Sequence, residues 1–332
     1  MPEEKYYSNQ RRLRANPHIR QLAATITLSH LDFIQPLFVD ESVATRTPIS
    51  TLNGVNSDTV ESVIQQIEED LKKGISKFLL FPVPTDREEK NFNFTFAIET
   101  VKKIKSVFGD RIWLAMDVCL CSYTSHGHCG ILNADYSRVL NDETATILAD
   151  YSLQLAQAGA DCIAPSDMID GRIKAIRDNL NQNGFDHVAI LSYSAKFSSS
   201  YYGPFRDACK STPGKINILQ DRKTYQLSPF NSNDAVTTAL RDLSEEADIL
   251  MVKPALLNVD ILHRLRQLTH SSLAAYHVSG EYQSIELLAQ QNSIQRHLGH
   301  LEVWITLKRA GADCIISYAS RFAKEWIEKI EY

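Results

Sequence analysis

The chain has 332 residues, 44% hydrophobic and 23% charged, an ordinary globular composition that excludes a wholly disordered protein. With 35 basic against 40 acidic side chains the net charge is −5, so no basic excess argues for nucleic acid. No apolar run approaches the ~18 residues of a membrane span, and the Met-Pro-Glu-Glu-Lys start has no apolar signal region; the expectation is a cytoplasmic protein with neither nucleic-acid nor membrane partners.

Residues 1–28 carry Arg11, Arg12, Arg14 and Arg20 without sustained apolar periodicity and read as an N-terminal arm. A rhythm then occupies residues 29–332. Short β-branched or aromatic runs at 33–39, 77–82, 112–121, 162–166, 188–196, 249–253, 273–279 and 314–318 predict buried strands. Amphipathic stretches such as 57–73, 94–107, 143–158 and 234–246 predict helices between them. At Lys73-Gly74, Ala158-Gly159 and Ala310-Gly311 a helix ends on a glycine suited to the left-handed position, and a strand begins. Glu245-Glu246-Ala247-Asp248 is a glycine-free variant of that joint. Eight strands alternating with helices predict an α/β protein, a (β/α)8 TIM barrel. The absence of a G-x-G-x-x-G turn after the first strand disfavours the doubly wound alternative. Segment 197–230, rich in Ser, Tyr, Gly and Pro, is too long for an idle loop and reads as a lid.

The active site of such a barrel lies at the carboxyl ends of its strands. Two neighbouring runs end in Lys196 and Lys253. Strand parity places Ser192, Ser194 and Lys196 on one face, and Ile249, Met251 and Lys253 on one face. A single strand-end lysine ordinarily reaches solvent or pairs with a carboxylate. Two that meet in a partly dry mouth depress each other's pKa, and the free amine condenses with ketones. Asp117, Cys119 and Cys121 share parity on the third run, and Cys129 returns after a short loop. Three thiolates with a fourth position open suit a catalytic zinc, with His126 or His128 as a further ligand or an outer hydrogen-bond partner. Cys162 and Cys314 read as small buried hydrophobes, and Cys209 stands alone. Arg206 and Arg222 on the lid suit a substrate carboxylate, although either alone is ordinarily a solvated charge. Ser166, Ser279 and Tyr318 bring hydroxyls to strand ends, and Asp167 is expected to cap the following helix.

These residues fall in motifs that resemble the porphobilinogen synthase (5-aminolevulinate dehydratase) family. They are Asp-Val-Cys-Leu-Cys…His-Gly-His-Cys-Gly (117–130), Ala-Pro-Ser-Asp-Met-Ile-Asp-Gly-Arg (164–172), Ser-Tyr-Ser-Ala-Lys-Phe (192–197), Tyr-Gly-Pro-Phe-Arg-Asp-Ala (202–208), Met-Val-Lys-Pro-Ala (251–255) and Val-Ser-Gly-Glu-Tyr (278–282). The resemblance covers nearly the whole chain. It implies a barrel whose arm wraps a neighbouring subunit, usually in a homo-octamer. It implies condensation of two 5-aminolevulinate molecules to porphobilinogen with loss of two waters. By similarity, Lys253 binds the first substrate as a Schiff base and Lys196 binds the second. Arg206, Arg222 and Gln226 would hold the second substrate's carboxylate, and Asp117 and Ser166 its amine. Ser279 and Tyr318 would hold the first substrate's carboxylate. Cys119, Cys121 and Cys129 resemble the ligands of the zinc-dependent subtype. The chain departs from the family pattern at Thr238, where many bacterial members carry a glutamate for an allosteric magnesium. It also departs at Thr224, where some relatives carry a further cysteine. These departures argue against the magnesium and against a second zinc. A one-lysine aldolase-type lyase would need neither Lys196 nor the cysteine cluster, and an inactive scaffold would have no need of the intact lysines and arginines.

Overall fold

The structure, a computed structural model, describes residues 10–213 and 219–330. Among these, the strands in chain order are β1 (Phe33–Asp40), β2 (Thr47–Pro48), β3 (Asn56–Asp58), β4 (Lys77–Val83), β5 (Trp113–Val118), β6 (Cys162–Pro165), β7 (Ala189–Lys196), β8 (Ile249–Lys253), β9 (Ser272–His277) and β10 (Cys314–Ser317). β1 and β4 through β10 lie side by side in parallel, and β10 returns to β1 with Phe33 opposite Ile315, which closes an eight-stranded barrel. The hairpin of β2 and β3 is an addition, with β3 lying alongside β1.

The helices are α1 (Pro17–Leu22), α2 (Val60–Lys72), α3 (Thr95–Phe108), α4 (Asn141–Gln157), α5 (Arg172–Gln182), α6 (Gly203–Ala208), α7 (Ser232–Ser244), α8 (Val259–Leu268), α9 (Ser279–Gln290), α10 (Arg296–Ala310) and α11 (Ala323–Ile327). The wall helices bury one stripe each, such as Val63 and Ile67 on α2 and Val101 and Ile104 on α3. Each such side chain contributes about 1.5–3 kcal/mol by leaving water. Gly74, Gly159 and Gly311 take the positive φ expected of them, and at the glycine-free joint Glu246 adopts φ 72°.

Two predicted boundaries need correction. The helix expected from residue 57 begins at Val60, because Ser57 and Asp58 pair with β1 and Thr59 then caps the helix in a reciprocal box with Ser62. The strand expected to run through Cys121 ends at Val118. Beyond it the chain turns, with Tyr123 and Thr124 both donating to the carbonyl of Leu120. The cysteines therefore lie on a loop above the barrel mouth. Of the proposed arm, residues 1–9 lie outside the described residues. The remainder includes α1, which buries no side chain; Leu22 is 81% exposed.

Candidate active site

A narrow cavity lies at the carboxyl ends of β4 to β8, with about 20 Å³ open to water. Its walls are Phe81, Pro82, Asp117, Cys121, Ser122, Ser166, Lys196 and Lys253 from the barrel side, and Tyr202, Phe205, Arg206, Cys209, Arg222 and Gln226 from segment 197–230. Lys196 and Lys253 stand directly opposite each other across β7 and β8. Between Ser192 and Ala195 the register shifts, because β7 spends three steps where β8 spends two. The shared face predicted for Ser192 and Lys196 is therefore wrong. Ser192 donates to Asp242 on the helix side, while Lys196 lines the cavity. Parity counting assumes an unbroken pleat, and a bulge reverses it.

Lys253 is buried among aromatic rings, its Nζ 4.0 Å from the centre of Tyr276 and 4.8 Å from those of Tyr193 and Phe205. Ring faces attract an ammonium, yet burial and then the neighbouring Lys196 charge push its pKa down to about 7. Lys196 donates to the carbonyl of Ser166. Asp117 is pushed up to about 7 by burial and then by the Cys121 charge, against a hydrogen bond from Ser166.

The Sγ atoms of Cys119, Cys121 and Cys129 lie within 4.8 Å of one another, and all three residues are buried. Tetrahedral thiolate bonds of about 2.3 Å set sulfurs about 3.8 Å apart, so the cluster fits a divalent ion with little adjustment. Neighbouring thiols donating to Cys121 hold its pKa well below the ordinary value, which favours one thiolate before any ion binds. His126 and His128 stand outside this trio. The backbone N–H of His128 donates to His126 Nδ1, and His128 Nδ1 meets the Tyr225 hydroxyl at 3.1 Å. Tyr225 also accepts from the Cys129 backbone N–H, tying segment 197–230 to the cysteine loop.

Segment 197–230 is pinned at its base, where Ser198 N–H donates to the Leu227 carbonyl and Leu227 N–H to the Lys196 carbonyl. Its residues 214–218 lie outside the described residues. Arg222 is buried and donates to the carbonyls of Gly127 and Ser211. Gln226 is 3% exposed, and neither of its amide atoms has a partner among the described residues. An unpaired buried amide costs about 1–3 kcal/mol, a cost a bound carboxylate can offset.

Ser279 and Tyr318 do not line this cavity. Ser279 Oγ donates to the Tyr201 carbonyl and accepts from Phe205 N–H, and Tyr318 meets the Tyr276 hydroxyl at 3.3 Å. Gly280 lets the Tyr201 backbone come this close, since a Cβ there would stand 2.7 Å from the Tyr201 carbonyl oxygen. Asp167 caps no helix, contrary to expectation. It accepts from Ile169 N–H and faces Arg172 at 3.5 Å, while α5 begins at Arg172 behind an N-cap glycine, Gly171, that offers no side-chain cap. Cys162 is buried as expected, whereas Cys314 is only half-buried. Sequence reading missed the ring cage around Lys253, whose only signal is the number of tyrosines beside the strand ends. It also left Cys209 unplaced, and that thiol lines the cavity.

The family model for delta-aminolevulinic acid dehydratase matches residues 7–326. The delta-aminolevulinic acid dehydratase of Synechococcus elongatus is 40% identical over 322 residues, covering 96% of this chain and 98% of the relative. That of Methanothermus sociabilis is 41% identical over 326 residues, covering 98% and 99%. The crystal structure of the Toxoplasma gondii delta-aminolevulinic acid dehydratase (porphobilinogen synthase), in complex with the reaction product porphobilinogen, superposes with a TM-score of 0.93. The two are 36% identical, over 98% of this chain and 93% of that one.

Proposed function

The chain belongs to the delta-aminolevulinic acid dehydratase family of hydro-lyases, and from that premise we propose that its cavity condenses two 5-aminolevulinate molecules to porphobilinogen with loss of two waters. One observation carries the assignment of roles: two buried lysines opposite each other on adjacent strands, in a cavity also lined by Arg206, Arg222 and a buried Gln226 amide that has no partner among the described residues.

Lys253, with its depressed pKa, supplies the free amine that attacks the ketone of the first substrate. Loss of water leaves an imine, and the surrounding rings shield it from hydrolysis. Lys196 takes the second substrate, its amine condensing with that molecule's ketone to a second imine with loss of water. Asp117 and Ser166 position the second substrate's amine, and Arg206, Arg222 and Gln226 hold its carboxylate. Cys119, Cys121 and Cys129 would hold a zinc ion, which supplies Lewis-acid polarisation of the second substrate. Holding both molecules in one cavity turns a bimolecular encounter into an oriented intramolecular one.

The open space is far smaller than two substrate molecules, which supports a lid at 197–230 that opens for entry, with Ser279 and Tyr318 meeting the first substrate's carboxylate once the lid shifts. Thr238 on α7 brings a neutral hydroxyl to a surface cavity shared with Arg241, which supports a chain without magnesium activation at that point. The exposed α1 and the arginines of the arm, residues 1–28, support docking on a neighbouring copy in a homo-octamer, and the reading includes a cytoplasmic location. No helix among the described residues is long and apolar enough to cross a membrane.

The test is turnover of 5-aminolevulinate to a pyrrole, together with borohydride trapping of substrate mass on the peptide that contains Lys253. Lys253→Ala is expected to abolish both. Persistent turnover in that variant overturns the assignment.

A further inference from the structure

The reversal of β7 that brings Lys196 into the cavity has a visible support. Without the extra residue between Ser192 and Ala195, the register set at Ser192 opposite Leu250 would continue, and Ala195 would stand opposite Lys253. Lys196 would then share a face with Ser192 and point into the helix layer. A bulge leaves part of its backbone without a ladder partner, and here a guanidinium takes up that role. Arg172 of α5 donates through Nη2 to the Tyr193 carbonyl at 3.4 Å, inside the bulge, and to Ser192 Oγ at 3.2 Å.

The same guanidinium is held in place from three sides. Nη1 donates to the Ile169 carbonyl at 3.2 Å, Nη2 reaches Asp242 Oδ2 of α7 at 3.2 Å, and Nε faces Asp167 Oδ1 at 3.5 Å. Ser192 Oγ closes the set by donating to Asp242 Oδ2 at 2.6 Å. Arg172, Asp167, Asp242 and Ser192 are all fully buried. Asp167 adjoins Ser166, whose carbonyl receives Lys196 Nζ. The cluster therefore touches the strand just before Lys196 and also the residue next to the group that Lys196 contacts.

We infer that Arg172, Asp242 and Ser192 are positioning residues for Lys196: they hold the bulge that turns this lysine into the cavity opposite Lys253. The inference rests on the proposed division of labour between the two lysines. None of the three touches the cavity, so their effect on the reaction passes through the geometry of β7. A lysine at 172 keeps the charge but lacks the planar fork that serves several acceptors at once.

The experiment compares wild type with Ser192→Ala, Asp242→Asn and Arg172→Lys, each assayed well below its melting temperature. The expected result is a kcat at least tenfold lower in Asp242→Asn and Arg172→Lys, with borohydride trapping of substrate on Lys253 within twofold of wild type and trapping on Lys196 lost. A role confined to stability lowers the melting temperature and leaves kcat and both trapping yields unchanged, and that result overturns the inference. If the two charged-site variants do not fold, Ser192→Ala carries the same comparison. A crystal structure of the variant tests the geometry independently of turnover. Lys196 withdrawn from the cavity supports the inference, and an unchanged bulge with Lys196 in place overturns it. Failure of wild type to trap substrate on Lys253 counts against the proposed function instead, so the two failures are distinguishable.

Discussion

Lys253 is a cation placed where water is scarce and a second cation is near. Burial and then Lys196 lower its pKa to about 7. The sign of the pH dependence follows. Below about 7 the group is an ammonium and cannot attack a ketone; above it the free amine dominates. Imine formation at Lys253 should therefore rise about tenfold per pH unit on the acid side and level off above neutrality. Lys196→Ala removes the like charge and admits water, so both changes move the inflection upward. Borohydride trapping on Lys253 across a pH series, in wild type and Lys196→Ala, measures the shift. An inflection that stays in place would mean that Lys196 has no electrostatic influence on Lys253.

At the scale of elements, the four joints that share one sequence pattern use one left-handed backbone solution, three with glycine and one without. Gly74, Gly159 and Gly311 take positive φ without steric cost, whereas the joint between α7 and β8 forces Glu246 to φ 72°. A side chain in that region costs about 1–2 kcal/mol, because its Cβ approaches the following carbonyl oxygen. Part of the relief from glycine is lost to the freer unfolded chain. Glu246 is exposed, so Glu246→Gly should stabilise the protein by about 0.5–1 kcal/mol. In a chain of this length that is a rise in melting temperature of about 1 °C. A thermal melt reads it directly, and a fall would show that the Glu246 side chain stabilises the joint by more than the strain it causes.

For the whole molecule, the main apolar core and the thiol cluster are separate. The core runs continuously through the barrel and its helices, while Cys119, Cys121 and Cys129 form their own small group beside Tyr225. Structural metal sites carry the folding energy of domains that lack a core, and this barrel has a large one. Chelation should therefore abolish turnover while the far-UV circular dichroism spectrum stays that of the folded barrel. Loss of the spectrum on chelation would make the ion a structural element of the fold.

The barrel was legible in the sequence because its signals are local. Apolar runs of strand length, helical stripes and a glycine at three joints each depend on a few adjacent residues. The lysines and clustered cysteines were legible as candidates because strand ends and short spacings are also local. Tertiary structure decided the rest. The bulge in β7 depends on Arg172 and Asp242, which are 70 residues apart in the chain, so parity within 192–196 could not reveal it. Asp167 turned from an expected cap into the partner of a buried arginine for the same reason. The cage around Lys253 gathers Tyr193, Phe205 and Tyr276 from β7, α6 and β9, and Phe205 N–H engages Ser279 away from the cavity. Sequence by itself determined the elements and the residue types available for chemistry. Which face each side chain takes, and which partners desolvate it, was settled only when the distant elements packed together.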